Sequence, residues 1–280
     1  MRTTTRPEAR LQRLFGLEGK TALVTGGARG VGRMITEALA GAGARVLIAS
    51  RRGEACATAA TEVNEALGEE RCEGFGADLS TEAGVLALAE EVESRCERLE
   101  ILVNNSGKTW GAPLGQHPWK AWEDLQSVNV AAPFSLIQAL LPLMERAASA
   151  DDPARVVNIG SINGSIPNGQ GAYAYAASKA ALHHLGRVLA NELGPRHVTV
   201  NALALGPFPS KMMNYITGDE ARREHLETRI PLRRIGRPDD VGGAVLWLAG
   251  AAGAWVTGAV VPIDGGMSAD VVQWMDPELF

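Results

Sequence analysis

Thr21-Ala22-Leu23-Val24-Thr25 runs straight into Gly26-Gly27-Ala28-Arg29-Gly30-Val31-Gly32, and this junction restricts the possible folds more than any other stretch of the chain. The first segment reads as a short buried strand. After the glycines, Met34, Ile35, Ala38, Leu39 and Ala42 recur at helical spacing. In a strand, glycine loop and helix, in that order, the backbone can turn tightly and approach a pyrophosphate. The helix amides and dipole then face the anion. The spacing is T-G-x-x-x-G-x-G, not the G-x-G-x-x-G of other dinucleotide folds. A glycine turn with no ligand is the alternative for such a loop alone; the flanking strand and helix weigh against it.

Strand and helix patterns alternate along the rest of the chain. Arg45–Ser50, Cys72–Ala77, Ile101–Asn105, Arg155–Ser161, Val198–Ala204 and Ala259–Ile263 read as strands. Their Val, Ile and Leu runs suit parallel strands covered on both faces. Glu54–Leu67, Ala83–Cys96, Trp119–Arg146, Tyr173–Leu193 and Asp239–Ala249 read as helices. The expectation is an α/β fold: a doubly wound parallel sheet of Rossmann type, in a single domain from residue 17 to 280. Residues 1–16 read as a solvated arm, with Leu11, Leu14 and Phe15 available to dock. Pro133 and Pro142 predict a kink or an early end in the fourth helix. At 280 residues, with no repeat or linker, one domain can bury a large core.

In such sheets ligands bind beyond the carboxyl ends of the strands. Gly26, Ser50-Arg51, Asp78-Leu79, Asn104–Gly107, Ser161 and Gly206 each follow or end a strand, so they converge on one crevice. After the second strand the chain reads Ile48-Ala49-Ser50-Arg51-Arg52 and lacks the acid that would hold a ribose diol. Ser50 can donate a hydroxyl, and Arg29 and Arg51 can clamp a 2′-phosphate, which favours NADP(H). Arg52, its neighbour, reads as solvated.

Tyr175 and Lys179 lie four apart in a helical stretch and face the same way. A free phenol has a pKa of about 10 and is a poor proton donor or acceptor at neutral pH. A cation near 4 Å, at an effective dielectric near 20, favours the phenolate by roughly 4 kcal/mol before desolvation. At about 1.4 kcal/mol per pKa unit, that brings a tyrosine into range of general acid–base work. The pair alone is equally an aromatic and a lysine on a surface helix.

A formal charge of −5 gives no reason to expect nucleic acid or an anionic membrane as partner. No apolar run reads as long enough to span a bilayer, and residues 1–20 do not resemble a secretory signal. Cys56, Cys72 and Cys96 are widely spaced, which argues against disulfides or zinc and for a reducing, cytoplasmic setting. His183 and His184 are adjacent and point apart, and His117, His197 and His225 are isolated, so no metal site is expected.

Taken together, Thr25-Gly26-x-x-x-Gly30-x-Gly32, Asn104-Asn105-Ser106-Gly107, Ser161 and Tyr175-x-x-x-Lys179 resemble the short-chain dehydrogenases/reductases, over roughly residues 17 to 266. The resemblance implies that Tyr175 transfers a proton, Lys179 lowers its pKa and binds the nicotinamide ribose, and Ser161 holds the carbonyl. It assigns Asn129 to shaping the fourth helix and holding a relay water. It implies cofactor contacts at Gly26, Ala28, Arg29, Gly30, Val31, Gly32, Ser50, Arg51, Asp78, Leu79, Asn105, Ser106, Gly107, Tyr175, Lys179 and Gly206. Asp78 would meet the adenine amino group; its alternative is a helix cap near Thr81. Three departures stand out: Ser106 in place of alanine, a longer Ser161–Tyr175 interval, and Leu205-Gly206-Pro207 in place of the usual Pro-Gly.

Within that family, Asn158-Ile159-Gly160-Ser161, Ala172–Tyr175, Ser178–His183 and Phe208–Met212 look most like bacterial NADPH-dependent 3-oxoacyl reductases of the rhamnolipid-synthesis type. The implied activity is reduction of a ketone, such as a 3-oxoacyl group on a thioester, to a secondary alcohol. The alternatives are an alcohol, polyol or steroid dehydrogenase acting oxidatively, and a dinucleotide-binding regulator without catalysis. Lys108-Thr109-Trp110, residues 162–170 and an apolar lid around 206–232 (Phe208, Met212, Met213, Tyr215, Ile216) would line the pocket. Lys211, Arg222, Arg223, Arg229, Arg233 and Arg234 could receive a carrier protein or form a solvated helix face. The long helices and the tail with Val271, Val272, Trp274 and Phe280 suggest a homotetramer or homodimer.

Overall fold

Leu23 and Val24 are both fully buried although successive strand residues point to opposite faces, so the sheet they belong to must be covered on both sides. The computed structural model describes residues 7–167, 171–210, 213 and 218–269. Its strands are β1 (Thr21–Thr25), β2 (Arg45–Ser50), β3 (Cys72–Gly76), β4 (Ile101–Asn104), β5 (Ala154–Ile159), β6 (Val198–Leu205) and β7 (Val260–Ile263). All pair in parallel, in the order β3-β2-β1-β4-β5-β6-β7. The helices are α1 (Pro7–Phe15), α2 (Gly30–Gly41), α3 (Gly53–Leu67), α4 (Glu82–Arg95), α5 (Trp119–Gln126), α6 (Ala132–Ala147), α7 (Tyr173–Leu193), α8 (Glu220–Glu227) and α9 (Pro238–Ala249).

The two faces carry separate cores. Val24, Ile48, Val103 and Val157 pack with Ile35 and Leu39 of α2, Val63 of α3 and Val245 of α9. Leu23, Leu47, Leu102 and Val156 pack with Leu88 of α4, Leu136 and Leu140 of α6, and Leu189 of α7. Strand order reverses between β1 and β4, which opens the crevice at the carboxyl edge where a ligand fits.

Two expectations are corrected, and a third is met in part. Residues 7–13 of the arm are exposed, as a solvated arm would be, while Leu14 and Phe15 dock: α1 ends against Gly250, where an added Cβ would lie 2.4 Å from the Leu14 carbonyl oxygen. Leu11 on the same helix remains exposed. Neither proline ends the fourth helix. Pro133 has no N–H to offer the Asn129 carbonyl four residues back. There the helix opens into a π turn, Ser127–Ala131, and the Ala132 N–H bonds the Ser127 carbonyl. α6 then continues through Pro142 to Ala147. Finally, the run Trp119–Ala147 is long and apolar enough to cross a membrane, by length and composition. Half of its most apolar 18-residue stretch is buried inside the protein, because one stripe of it forms core against the sheet. The C-terminal residues Val271, Val272, Trp274 and Phe280 lie outside the described residues.

Candidate active site

The glycine loop between β1 and α2 is held from two sides. Gly26 and Gly30 adopt positive φ of 70° and 53°, which only glycine takes without strain. A Cβ on Gly32 would sit 2.2 Å from the Gly26 carbonyl oxygen, so the helix start and the loop can close on each other only without a side chain there. From the far side, the Asn105 side chain donates to the Thr25 carbonyl at 2.8 Å, and Thr25 Oγ1 accepts from the Asn105 and Ser106 N–H groups at 3.0 Å each. The Asn105 amide therefore braces the loop. That role, and Thr25's part in it, were not legible in the sequence.

The same loop has the form that could hold a diphosphate. α2 starts at Gly30, and its N-cap Arg29 makes no side-chain cap, which leaves the first-turn amides to another partner. The rim carries no acid at the end of β2: Ser50 is half-buried, Arg51 and Arg52 are exposed, and Ser50 Oγ lies 3.1 Å from Cys56 Sγ. Asp78, exposed at the end of β3, accepts from the Ser80 N–H at 3.0 Å. That bond holds its carboxyl below the usual range, helped by the nearby Arg51. The cap of α4 is Thr81, so the cap alternative for Asp78 does not apply. Ala28, Val31 and Leu79 line the loop and rim half-buried, and Gly206 backs onto Asp264, where a Cβ would meet Asp264 Cα at 2.8 Å. Gly30 abuts Ser210, so the start of the 206–232 segment lies over the glycine loop.

The reacting end forms where β4, β5 and α7 meet. Ser161 follows β5, is 7% exposed, and its Oγ accepts from the Asn163 N–H at 3.2 Å, which starts the short 3-10 turn Ile162–Gly164. Its hydroxyl lies on the Tyr175 side of the turn, close enough to favour the phenolate. Burial pushes the Tyr175 pKa up, and Ser161 partly opposes this. Lys179 donates from Nζ to the Ile159 carbonyl at 2.8 Å and lies 5.8 Å from the centre of the Tyr175 ring. Burial brings its pKa down to about 8. The ammonium is thus anchored to the end of β5, 5.8 Å from the ring centre, and what raises the Tyr175 pKa is desolvation, with Ser161 the group that opposes it.

Asn129 sits at the π turn, 1% exposed. Its Oδ1 accepts from the Lys108 N–H and its Nδ2 donates to the Lys108 carbonyl and to Ser178 Oγ, all at 2.9 Å. Ser178 in turn donates to the Tyr175 carbonyl at 2.8 Å. One amide therefore ties the loop after β4 to the helix that carries Tyr175. Ser178 was missed in the sequence; its place three residues after Tyr175 was the available signal. Gly107 fits between Asn129 and Lys179, where a Cβ would lie 3.2 Å from Asn129 Oδ1 and 3.7 Å from Lys179 Nζ.

Trp110 and Tyr175 both pack against Ala121, Leu125 and Ala174, which brings Trp110 to the same end of the sheet as Tyr175. Phe208 does not line a pocket: it is 3% exposed and its ring fills the space beside Gly236. Lys211, Met212, Tyr215, Ile216 and residues 168–170 lie outside the described residues. Arg223 pairs with Glu227 and Arg234 with Asp240, as a solvated helix face would. Among the described residues, no three His, Cys, Asp or Glu side chains converge as metal ligands.

A doubly wound sheet, a glycine loop at its switch point and two hydroxyls near a buried lysine define a dinucleotide-dependent oxidoreductase that acts on C=O and CH–OH groups. Comparison narrows this to a lineage. A family model described as Enoyl-(Acyl carrier protein) reductase matches residues 26–268, and the chain belongs to the short-chain dehydrogenase/reductase family. It is 50% identical over 252 residues to the rhamnolipids biosynthesis 3-oxoacyl-[acyl-carrier-protein] reductase of Pseudomonas aeruginosa, covering 90% of this chain and 97% of that one. The 3-oxoacyl-[acyl-carrier-protein] reductase FabG of the same organism is 37% identical, with 90% and 99% covered. Among solved structures, an NADP active-site complex of Pseudomonas aeruginosa RhlG superposes with a TM-score of 0.88 at 50% identity, covering 91% of this chain and 99% of that one.

Proposed function

We propose that this chain is an NADP(H)-dependent reductase of 3-oxoacyl groups, converting the ketone to a secondary alcohol. The observation that carries the chemistry is the Ser161–Tyr175 hydroxyl pair, set beside Lys179 at the carboxyl edge of the sheet. The likeness to 3-oxoacyl reductases supports the substrate class. When bound, the nicotinamide supplies the hydride. Ser161 and Tyr175 donate to the substrate oxygen as it becomes an alkoxide, and Tyr175 delivers the proton. Lys179 holds the ribose side of the site. Asn129 fixes the distance between the β4 loop and α7, and so the place of Tyr175. The glycine loop from Gly26 to Gly32 and the α2 amides take the diphosphate, with Ser50, Arg51 and Arg29 toward the 2′-phosphate.

The substrate assignment is tested by a series of 3-oxoacyl thioesters. Each methylene buried beside Trp110 stabilises the complex by up to about 0.8 kcal/mol until the space is filled. Catalytic efficiency should therefore climb with chain length and then level. A flat series, with faster turnover of a polyol or free sugar, would remove the acyl assignment and favour an oxidative dehydrogenase.

Cofactor choice follows from β2 ending at Ser50 without a carboxylate. NADPH should bind at least about tenfold more tightly than NADH, roughly 1.4 kcal/mol, and Arg51→Ala should erase most of that difference in a fluorescence titration. Equal native affinities would contradict the assignment of Arg51.

The assembly we propose is a homotetramer, with a homodimer as second choice, in a reducing cytoplasmic compartment that suits three free thiols. Trp119 is 77% exposed and, with Trp122, Glu123 and Gln126, lines a surface hollow; Phe134 and Val188 continue the apolar surface along α6 and α7. Light scattering at micromolar concentration should give a mass of two or four chains, and a monomer would refute both.

A further inference from the structure

One turn beyond Lys179 on α7 stands a histidine to which the proposed chemistry gives no task. His183 is 3% exposed, and its ring is wedged against the backbone of the turn that follows β5. A Cβ added to Gly160 would lie 2.2 Å from His183 Nε2 and 2.9 Å from Cδ2, and one added to Gly164 would lie 2.9 Å from Cε1. These two glycines bracket Ser161. The imidazole therefore occupies the space that side chains at both ends of the turn would otherwise fill. Its Nδ1 lies 3.5 Å from Ser165 Oγ, the next residue along the same turn. Gly164 also packs directly on the α7 backbone, where its Cβ would meet the Lys179 carbonyl carbon at 2.7 Å.

Among the described residues Nε2 has no hydrogen-bond partner. Burial, with Lys179 and Arg187 nearby, pushes the pKa down to about 4, so the ring is neutral at ordinary pH. Leaving a buried polar nitrogen unpaired costs about 1–3 kcal/mol, which an aliphatic residue of similar volume would avoid. A flat ring fits between two backbone segments where a branched chain does not. What it supports there is the turn that presents Ser161.

We propose that His183 is a positioning residue: it props the Gly160–Ser165 turn and so sets Ser161 Oγ against the Tyr175 hydroxyl. This rests on the reading above that Ser161 and Tyr175 work as a pair. Displacement of Ser161 by a fraction of an ångström weakens its effect on Tyr175 and its bond to the developing alkoxide, because such donors act only within a narrow distance range. The diphosphate cradle lies at β1 and α2, away from this turn, and is untouched.

The test is a double-mutant cycle on the full chain, with Ser161→Ala as one arm and His183→Ala or His183→Gln as the other, followed by kcat for a 3-oxoacyl thioester, NADPH affinity and the pH profile of alcohol oxidation. His183→Ala should lower kcat by about tenfold or more with NADPH affinity unchanged, and His183→Gln, which keeps bulk and a nitrogen toward Ser165, should recover part of the loss. In the Ser161→Ala background the same change should cost nothing further, since the group it acts through is gone. Both single variants should move the basic limb of alcohol oxidation to higher pH, because the lowering of the Tyr175 pKa by Ser161 is weakened in each. Native kcat in His183→Ala, or losses that multiply with Ser161→Ala, would overturn the proposal alone. Native kcat in Ser161→Ala would overturn the pair, and with it this role. If His183→Ala does not fold, His183→Leu, which fills part of the space without a ring nitrogen toward Ser165, takes its place in the cycle and decides by the same outcomes.

Discussion

Tyr175→Phe is expected to lose about two to four orders of magnitude in kcat while binding NADPH as the native protein does. The change removes one oxygen and leaves the ring, whose packing against Ala121, Leu125 and Ala174 keeps α7 in place. What disappears is the proton for the alkoxide and the partner of the Ser161 hydroxyl. The pH profile should change in the same sense. Burial raises the Tyr175 pKa, so the phenol stays protonated through neutral pH, and the donor form is lost only as pH climbs past its pKa. Ketone reduction should therefore be flat around neutrality and fall in alkali, and alcohol oxidation should rise with pH. Neither limb should survive in the Phe variant. Steady-state rates in both directions check this. A Phe variant that turns over its best ketone at close to the native rate would place the acid elsewhere.

Gly32→Ala should have the second large effect, on binding and not on chemistry. Its methyl would have to occupy a point 2.2 Å from the Gly26 carbonyl oxygen and 2.5 Å from Asn105 Nδ2. Neither can step aside cheaply, since the first is backbone and the second holds Thr25. Overpacking of this kind costs about 1–3 kcal/mol, and in a protein of this size Tm falls by roughly 2–4 °C for each kcal/mol. The loop that should meet the diphosphate is displaced, so NADPH affinity is expected to drop by about a hundredfold, some 2.7 kcal/mol. Gly41→Ala, at the other end of α2, meets nothing within 4 Å and is the control. Thermal melts and NADPH titrations of the two variants should diverge; parallel behaviour would mean that the cradle is not where the cofactor sits.

Much of this was legible in the sequence, for local reasons. A strand of Val and Leu with no polar face can lie only inside a sheet covered twice, and glycines that follow it directly can only be there for the backbone. Tyr175 and Lys179 were found because a helix fixes which residues share a face. The features missed are those that depend on a distant partner. Nothing near Asn105 says that its amide turns back to Thr25, and nothing near Lys179 says that its Nζ meets the Ile159 carbonyl. Phe208 read as lid because its neighbours are apolar; the space beside Gly236 that claims it comes from another part of the chain. The π turn was half visible. Pro133 announced a disturbance, but whether a helix kinks, stops or widens by one residue is settled by what its two halves pack against.

The Asn105–Thr25 brace has a consequence for how the protein is made. Its partners are 80 positions apart, and so are β1 and β4, which flank it. The glycine loop can be synthesised, and β1 can pair with β2, long before β4 leaves the ribosome. Until then the loop has no far wall, and closing so long a segment is among the slower events available to a chain of this topology. The diphosphate cradle, although its loop lies near the start of the sequence, is therefore completed by residues made much later. A nascent chain cannot present the finished cradle until the strand that ends at Asn104 has docked.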